Sequence, residues 1–363
     1  MKILHINSYY VNDFFYSNLY NYQKGLYDID ILVYKAVNTY NNFSKENSIV
    51  ISPYRKYQKY FFMYKHYKIF NEISKMKLNY DLVHAHTLFT NGYQAYKINK
   101  QFNIPYIVAI RSTDINFFIK YFIHLRKIGL NILLNARKIV FISSVYRSKL
   151  LKYINKKYHN IILNKSTVIT NGVNNYWLEN KSDKISYSKN IKLLHVARVN
   201  KNKNAITIVK AIESLKEHDL NITLDIIGKV EDKKVFKSLM KYKYVNYHEF
   251  MSKEELIKYY KDSTIFILVS KHETYGISYL EAMSQGTPVV YSKYEGFDGQ
   301  YTNGYVGYKC KYNDYKELAI TIKKVLENYS CLRDNCLKEI ENFSWDNIGQ
   351  QYDDIYREIG ESN

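Results

Sequence analysis

Two carboxylates that could bind hydroxyl groups lie in one short segment of the chain. The segment HETYGISYLEAMSQGTPVV contains Glu273 and Glu281 on either side of Gly276. Carboxylates accept hydrogen bonds from sugar hydroxyls, and two of them at this spacing can bind two different rings. In the alternative, purely structural interpretation, one acid caps a helix and the other faces solvent.

The surrounding pattern indicates where this segment lies. TIFILVS reads as a buried strand, KHETYG as the loop after it, and residues 277–285 as a helix that Gly286 terminates. The helix therefore begins at the carboxyl end of a strand, where free N–H groups near Gly276 and Ile277 can hold an anion or a sugar hydroxyl.

A second segment supplies positive charge. HVARVNKNKNA carries Arg198 and Lys203 just after the first strand of the second half of the chain. Two cations at a strand-to-helix turn, beside helix N–H groups, can bind a pyrophosphate. Together with the two acids they predict a nucleotide-sugar site with a diphosphate end and a sugar end.

The elements that must position these residues alternate between short apolar runs and longer amphipathic ones, which is typical of parallel β/α construction. Residues 175–190 are polar and aperiodic, and they are expected to link two domains. Strands are predicted at 2–6, 28–34, 81–86, 104–110, 138–143, 166–170, 191–197, 222–228, 245–250, 264–270 and 287–292, with helices at 60–77, 89–101, 203–217, 231–241 and 253–261. The pattern predicts two doubly wound α/β domains with the ligand between them, at the carboxyl ends of the strands.

The composition favours a globular protein of a reducing compartment. Lys and Arg number 53 against 34 Asp and Glu, which gives a net charge of +19. Such an excess indicates an anionic partner, or else a biased composition, because the chain also holds 40 Tyr. The three cysteines show no metal-ligand spacing. The N-terminus lacks signal-peptide character and no apolar run could span a bilayer, so a cytoplasmic location is expected.

The motifs resemble those of retaining glycosyltransferases of the GT-B type, in the large Glu-x7-Glu family (group 1, family 4) that includes bacterial polysaccharide and cell-wall enzymes. HETYGISYLEAMSQGTPVVYS is similar to the family's motif, ARVNKNKN to its Arg-x4-Lys element, and DLVHAH, ITNGVNN and FSWDNIGQQYDDIYREI to further segments. The resemblance implies two Rossmann-like domains facing each other across a cleft: an acceptor-side domain at 1–175 and a donor domain at 190–343. A helix at 344–363 crosses back to the first domain.

The resemblance also implies residue roles. Glu273 corresponds to the acid that binds donor-sugar hydroxyls, and Glu281 to the one that binds ribose. Arg198 and Lys203 correspond to the pair that neutralises the diphosphate. Arg111 stands where the family has histidine, and is expected to contact donor phosphate or sugar. The remaining donor-binding residues are expected to be Ser8, Asp114, Tyr275, Gly276 and Ile277.

The expected reaction moves a sugar from a nucleotide-sugar, with a UDP-sugar as the expected donor, to a saccharide, lipid-linked or wall-polymer hydroxyl. No cofactor or metal is expected to be needed. His84 and His86 alternate at a strand end, and a buried structural pair is favoured there over a metal site because no third ligand is evident. Rival interpretations are a sugar-nucleotide epimerase, an inactive partner subunit and a nucleic-acid binder, although no nucleic-acid motif appears in the sequence.

Residues 54–77, YRKYQKYFFMYKHYKIFNEISKMK, hold one acid among many Lys, Tyr and Phe. A helix of this composition can lie on an anionic membrane with its aromatic side chains in the headgroup region. It can equally be an ordinary basic helix that covers the sheet of the first domain. Peripheral membrane contact is therefore one of two open interpretations.

Overall fold

A computed structural model describes residues 1–10, 15–37, 47–182, 190–215 and 221–361. These residues form two compact units. Unit 1 contains Met1–Thr170 and Trp345–Asn363, and unit 2 contains Asn171–Ser344. The α/β fold with two Rossmann-like units, predicted from the alternating pattern, is confirmed.

Unit 1 is built on a seven-stranded parallel sheet of order β3-β2-β1-β4-β5-β6-β7. Its strands are β1 (Lys2–Ile6), β2 (Asp28–Ala36), β3 (Ser48–Tyr54), β4 (Leu82–Ala85), β5 (Tyr106–Ile110), β6 (Lys138–Phe141) and β7 (Ser166–Val168). Its first helices are α1 (Phe15–Lys24), α2 (Phe62–Ile73), α3 (Gly92–Phe102), α4 (Arg126–Asn135), α5 (Ser144–Leu151) and α6 (His159–Asn164), with a π-helix at Asp114–Ile119 and short 3-10 helices at Lys56–Tyr60, Ile123–Leu125 and Lys156–Tyr158.

Unit 2 is built on a six-stranded parallel sheet of order β10-β9-β8-β11-β12-β13. Its strands are β8 (Ile191–Val196), β9 (Ile222–Ile227), β10 (Val245–His248), β11 (Ile265–Leu268), β12 (Val289–Ser292) and β13 (Gly307–Cys310). Its helices are α7 (Asn175–Glu179), α8 (Ala205–Leu215), α9 (Lys233–Leu239), α10 (Lys253–Asp262), α11 (Ile277–Ser284), α12 (Tyr315–Glu327) and α13 (Tyr329–Glu339), followed by a 3-10 turn at Ile340–Phe343.

The last helix, α14 (Trp345–Glu361), belongs to unit 1 although it follows unit 2 in the chain. Its apolar face is buried in one cluster with strand residues Ile3, Leu82 and Ile107. Burial of each large apolar side chain stabilises the fold by about 1.5–3 kcal/mol. The buried residues of this face are Trp345, Ile348, Tyr352, Ile355, Tyr356 and Ile359. Unit 1 therefore depends on both ends of the sequence.

The structure differs from the predicted elements in several places. The helix predicted at 60–77 is shorter, because α2 begins at Phe62 and follows a 3-10 turn. The predicted linker contains helix α7, whose Trp177 is buried, while residues 183–189 lie outside the described part of the chain. Edge strands β3 and β13 were not predicted. Among the described residues, no helix is long and apolar enough to cross a membrane.

Candidate active site

Two loops meet at the carboxyl ends of neighbouring strands β8 and β11 in unit 2. The first carries Arg198 and Lys203, and the second carries Glu273. Lys203 and Glu273 form an ion pair with 2.6 Å between Nζ and Oε2, and their side chains are 16% and 10% exposed. The Ser270 hydroxyl donates to the same Glu273 oxygen at 3.2 Å. The structure therefore brings together a cation and an acid that are 70 residues apart in the chain.

Arg198 lies nearer to solvent. Its Nη1 is 2.9 Å from Oε1 of Glu231, and 63% of the Arg198 side chain is exposed. Hydrogen bonding from Asn200, with a smaller contribution from Arg198, lowers the pKa of Glu231. An exposed surface ion pair of this kind contributes little to stability, so its partners can separate at low cost. The guanidinium can therefore turn towards an anionic ligand.

The start of α11 depends on a glycine. Gly276, which precedes the helix, has φ +82°, and a Cβ at this position would come within 2.4 Å of the Tyr279 ring. The glycine therefore lets the backbone approach the helix closely and leaves the N–H end of α11, from Ile277, at the carboxyl edge of the sheet. Tyr275, beside it, is fully buried, with its ring 5.8 Å from that of Phe297.

These residues line two adjoining cavities of unit 2. The smaller, of about 350 Å³, is lined by the charged and backbone groups of the predicted site, namely Arg198, Lys203, Glu273, Tyr275, Gly276 and Ile277. The larger, of about 1210 Å³, is lined by apolar side chains together with the charged residues Arg198, Lys229, Lys233, Lys237, Glu249 and Glu281. Both cavities include Val196, Ala197, Arg198 and Ser278. The smaller, polar cavity can hold the charged part of a ligand, and the apolar side chains of the larger cavity can hold a ring system.

Glu281 faces the larger cavity from α11. Its Oε2 accepts a hydrogen bond from the Tyr260 hydroxyl at 2.8 Å. Burial raises the pKa of Glu281 to about 7, although the Tyr260 hydrogen bond acts in the opposite direction. The carboxylate is thus a poorly solvated acceptor that gains from any further hydrogen-bond donor.

Two residues that the sequence did not single out hold the site together. Asn202 bridges the loops, because its side chain accepts from the N–H of His272 at 3.1 Å and donates to the carbonyl of the same residue at 3.0 Å. Glu295 accepts from the backbone N–H of Glu273 at 3.0 Å. Beside it, a Cβ on Gly296 would come within 1.8 Å of the Thr274 carbonyl oxygen. The Glu273 loop is therefore fixed by partners on two other loops.

Asp114, in unit 1, is buried among backbone N–H groups. It is 2% exposed, and its carboxylate accepts from the backbone N–H groups of Leu88, Phe89 and Arg111 at 3.1, 3.2 and 2.9 Å. Burial raises the pKa of Asp114 to about 6, against the effect of these bonds. Asp114 therefore ties together the turns after β4 and β5, and its contact with the donor stays a prediction.

Arg111 and Ser8 also lie in unit 1. The Arg111 guanidinium lies over the Tyr16 ring, 5.8 Å from its centroid, and its Nε donates to the His86 carbonyl at 3.4 Å. Ser8 follows β1 and donates its backbone N–H to Asn91 Oδ1 at 3.4 Å. Arg111 and Ser8 therefore each follow a strand of the unit 1 sheet at its carboxyl edge.

Unit 1 also contains a cluster of three buried histidines. His5 joins the predicted pair His84 and His86, because β1 and β4 place His5 and His84 side by side. His5 Nδ1 and His86 Nε2 are 3.0 Å apart, and one ring nitrogen of each histidine lies within 4.8 Å of the others. Burial lowers the pKa of all three, that of His5 to about 3, and the positive charge of Arg111 lowers those of His84 and His86 further. His5 is thus a third ring that the sequence did not indicate, and the lowered pKa values leave the three buried imidazoles neutral near pH 7. A structural role for the cluster stays a prediction.

Comparison with known proteins gives the class of fold first. The chain is similar to sucrose-phosphate synthase from Thermosynechococcus elongatus, with a TM-score of 0.78 at 17% identity over 100% of both chains. It is also similar to HepE of Anabaena, crystallised with UDP, with a TM-score of 0.75 at 16% identity over 99% of this chain and 100% of that one. The fold is that of GT-B glycosyltransferases.

The sequence matches are consistent with this class. Residues 177–343 match the family model of group 1 glycosyl transferases. An uncharacterized glycosyltransferase of Methanocaldococcus jannaschii is 24% identical over 94% of this chain and 93% of its own length. These matches support a glycosyltransferase of group 1.

Proposed function

We propose that the protein is a retaining glycosyltransferase that transfers a hexosyl group from a UDP-sugar to a hydroxyl acceptor. The observation that carries the proposal is the cavity lined by Arg198, Lys203, Glu273 and the start of α11, which adjoins the larger cavity. The diphosphate is assigned to the two cations, the sugar to Glu273, and the nucleoside to the larger cavity. The UDP in the HepE crystal supports the choice of base.

In the proposed reaction, the acceptor oxygen bonds to the anomeric carbon on the face that the diphosphate leaves. The bond from that carbon to the diphosphate oxygen breaks, and the hydroxyl proton passes to the departing phosphate. Arg198 and Lys203 balance the charge that grows on this phosphate, and the N–H groups of α11 assist them. We propose that Arg111 supplies a further positive charge, and that none of these steps requires a metal.

Acceptor and location are part of the same proposal. The acceptor is a saccharide, lipid-linked or wall-polymer hydroxyl, and the protein is a cytoplasmic enzyme with peripheral contact to an anionic membrane through residues 54–77. The surface of this segment supports the proposal, since Tyr60 is 77% exposed and Tyr67 66% exposed.

Nucleotide binding is the direct test. UDP at about 100 times its dissociation constant is expected to stabilise the protein by about 2.7 kcal/mol. Thermal unfolding with UDP, ADP and GDP measures this effect, and release of UDP from UDP-glucose in the presence of acceptors measures transfer. A melting temperature that no nucleoside diphosphate raises would contradict the proposed donor site. UDP binding without sugar transfer would instead favour the inactive partner subunit.

The pKa of Glu281 predicts a pH dependence. If its carboxylate accepts from the ribose hydroxyls, UDP binds the ionised form better, and affinity rises as the pH increases through about 7. Below that value affinity is expected to fall by at most about tenfold per pH unit. Calorimetric titration on both sides of the pKa tests this. The matched control is Glu281→Gln, whose affinity should not follow the same curve; identical profiles would exclude contact between Glu281 and ribose.

A further inference from the structure

An exposed aromatic surface on unit 1 extends beyond the segment that the sequence indicated. The first part comprises the turn Lys56–Tyr60 and the start of α2, and the second comprises residues 117–123. Nine large apolar or aromatic side chains of these two parts are exposed: Tyr57, Tyr60, Phe61, Met63, Tyr64, Tyr67, Phe117, Tyr121 and Ile123. We call this set the aromatic face.

Ring contacts join the two parts of the aromatic face. The Phe62 ring, at the start of α2, lies 6.4 Å from those of Phe118 and Phe89, and Phe89 and Phe118 stack at 5.1 Å. Phe118 then contacts Phe117 at 5.5 Å. Packed phenylalanine rings therefore connect the two parts of the aromatic face and hold them in fixed positions relative to each other.

The charged residues of the two segments that carry this face are basic. Residues 55–71 and 115–135 contain no Asp or Glu, whereas they contain Arg55, Lys56, Lys59, Lys65, Lys68, Lys120, Arg126 and Lys127. Several lysines lie over aromatic rings of the face, with Lys59 Nζ 4.9 Å from the Tyr60 centroid and Lys120 Nζ 5.1 Å from that of Tyr121. Long basic side chains can bury their stems in apolar surroundings and keep their charge at the surface.

We infer that the aromatic face seats on an anionic lipid bilayer, with residues 117–123 inserted beside α2. Tyrosine and lysine at the rim suit phosphate headgroups, and Phe117, Met63 and Ile123 suit the acyl boundary beneath them. A second copy of the chain would oppose this face with the same positive charge. This inference rests on the proposed function. The helix that begins at Asp114, next to Arg111, would lie against the lipid surface, where a lipid-linked acceptor can be anchored.

Vesicle binding tests the inference. The protein is expected to sediment with vesicles of equal parts phosphatidylglycerol and phosphatidylcholine at physiological salt, and not with phosphatidylcholine alone. The double variant Tyr121→Ser/Ile123→Ser should weaken binding by at least about tenfold. The matched control is Tyr315→Ser/Ile320→Ser, which removes an exposed tyrosine and isoleucine from α12 of unit 2 and should bind as the unaltered protein does.

Three results would overturn the inference: no sedimentation with anionic vesicles, undiminished binding by the Tyr121→Ser/Ile123→Ser variant, or displacement from the vesicles by a single-stranded oligonucleotide at stoichiometric amounts. Dimerisation that this double variant abolishes would also overturn it, because a second copy would then cover the face. Stabilisation by UDP, measured on the same variants, reports separately on unit 2. Loss of vesicle binding with retained UDP stabilisation would therefore contradict only the membrane inference. Vesicle binding without UDP stabilisation would contradict only the proposed donor site.

Discussion

Replacement of Lys203 by alanine is expected to lower turnover by about 10²–10³-fold, the loss typical of removing one preorganised charge-stabilising group. The reason is that Lys203 opposes negative charge that is greater on the departing diphosphate than on the bound donor. Its removal also leaves Glu273, now 2.6 Å from Nζ, as an unbalanced anion beside the phosphate. Steady-state release of UDP from a UDP-sugar and calorimetric affinity for UDP measure the two effects.

Lys201→Ala is the matched control, because Lys201 lies in the same loop and is exposed. It removes the same charge from the same turn, and turnover is expected to stay close to that of the unaltered protein. Glu273→Gln completes the comparison, since it should affect recognition of the sugar more than affinity for UDP. If Lys203→Ala and Lys201→Ala behave alike, Lys203 does not bind the diphosphate and the turn is only a solvated helix start.

Replacement of Arg111 by methionine, which keeps much of the side-chain volume, is expected to lower transfer by about 10²-fold if the guanidinium acts on the donor. Arg111→His should retain part of the activity, because the imidazole ring can donate a hydrogen bond and, when protonated, carry positive charge. Turnover with a UDP-sugar measures the effect. The melting temperature shows whether the stacking over Tyr16 was needed for the fold.

Arg147→Ala provides a matched control within unit 1, on helix α5. Transfer by that variant is expected to be unchanged. Full activity of Arg111→Met would show that the guanidinium does not act on the donor. Its role would then be structural, through its contacts with Tyr16 and the His86 carbonyl.

Much of the fold could be predicted because buried parallel strands appear as short, continuous apolar runs. Strand β11 is such a run, and all its residues are buried. Edge strand β3 was missed for the converse reason. Strand β3 has no buried residue and contains Pro53, so its sequence lacks the apolar character on which the prediction depends. Helix α7 was missed because a single buried residue, Trp177, anchors an otherwise polar segment.

The predictable part of the site comprises residues with distinctive charge at the ends of strands, namely Arg198, Lys203 and Glu273. The residues that hold them could not be found, because their contacts depend on which strands are neighbours. Asn202 meets His272 across 70 positions, and Glu295 meets Glu273 across 22. For Asp114 the charge indicated a ligand contact, which stays a prediction. The three backbone N–H groups that its carboxylate accepts from could not be found from the sequence.

The position of α14 has a consequence for the order in which the chain folds during synthesis. Unit 2 is continuous, from Asn171 to Ser344, whereas unit 1 needs Trp345 and the residues after it. A ribosome therefore releases every residue of unit 2 before unit 1 can close its core over Ile3, Leu82 and Ile107. Until then the nascent first unit exposes the apolar surface that α14 later covers, and this surface is a natural target for chaperones.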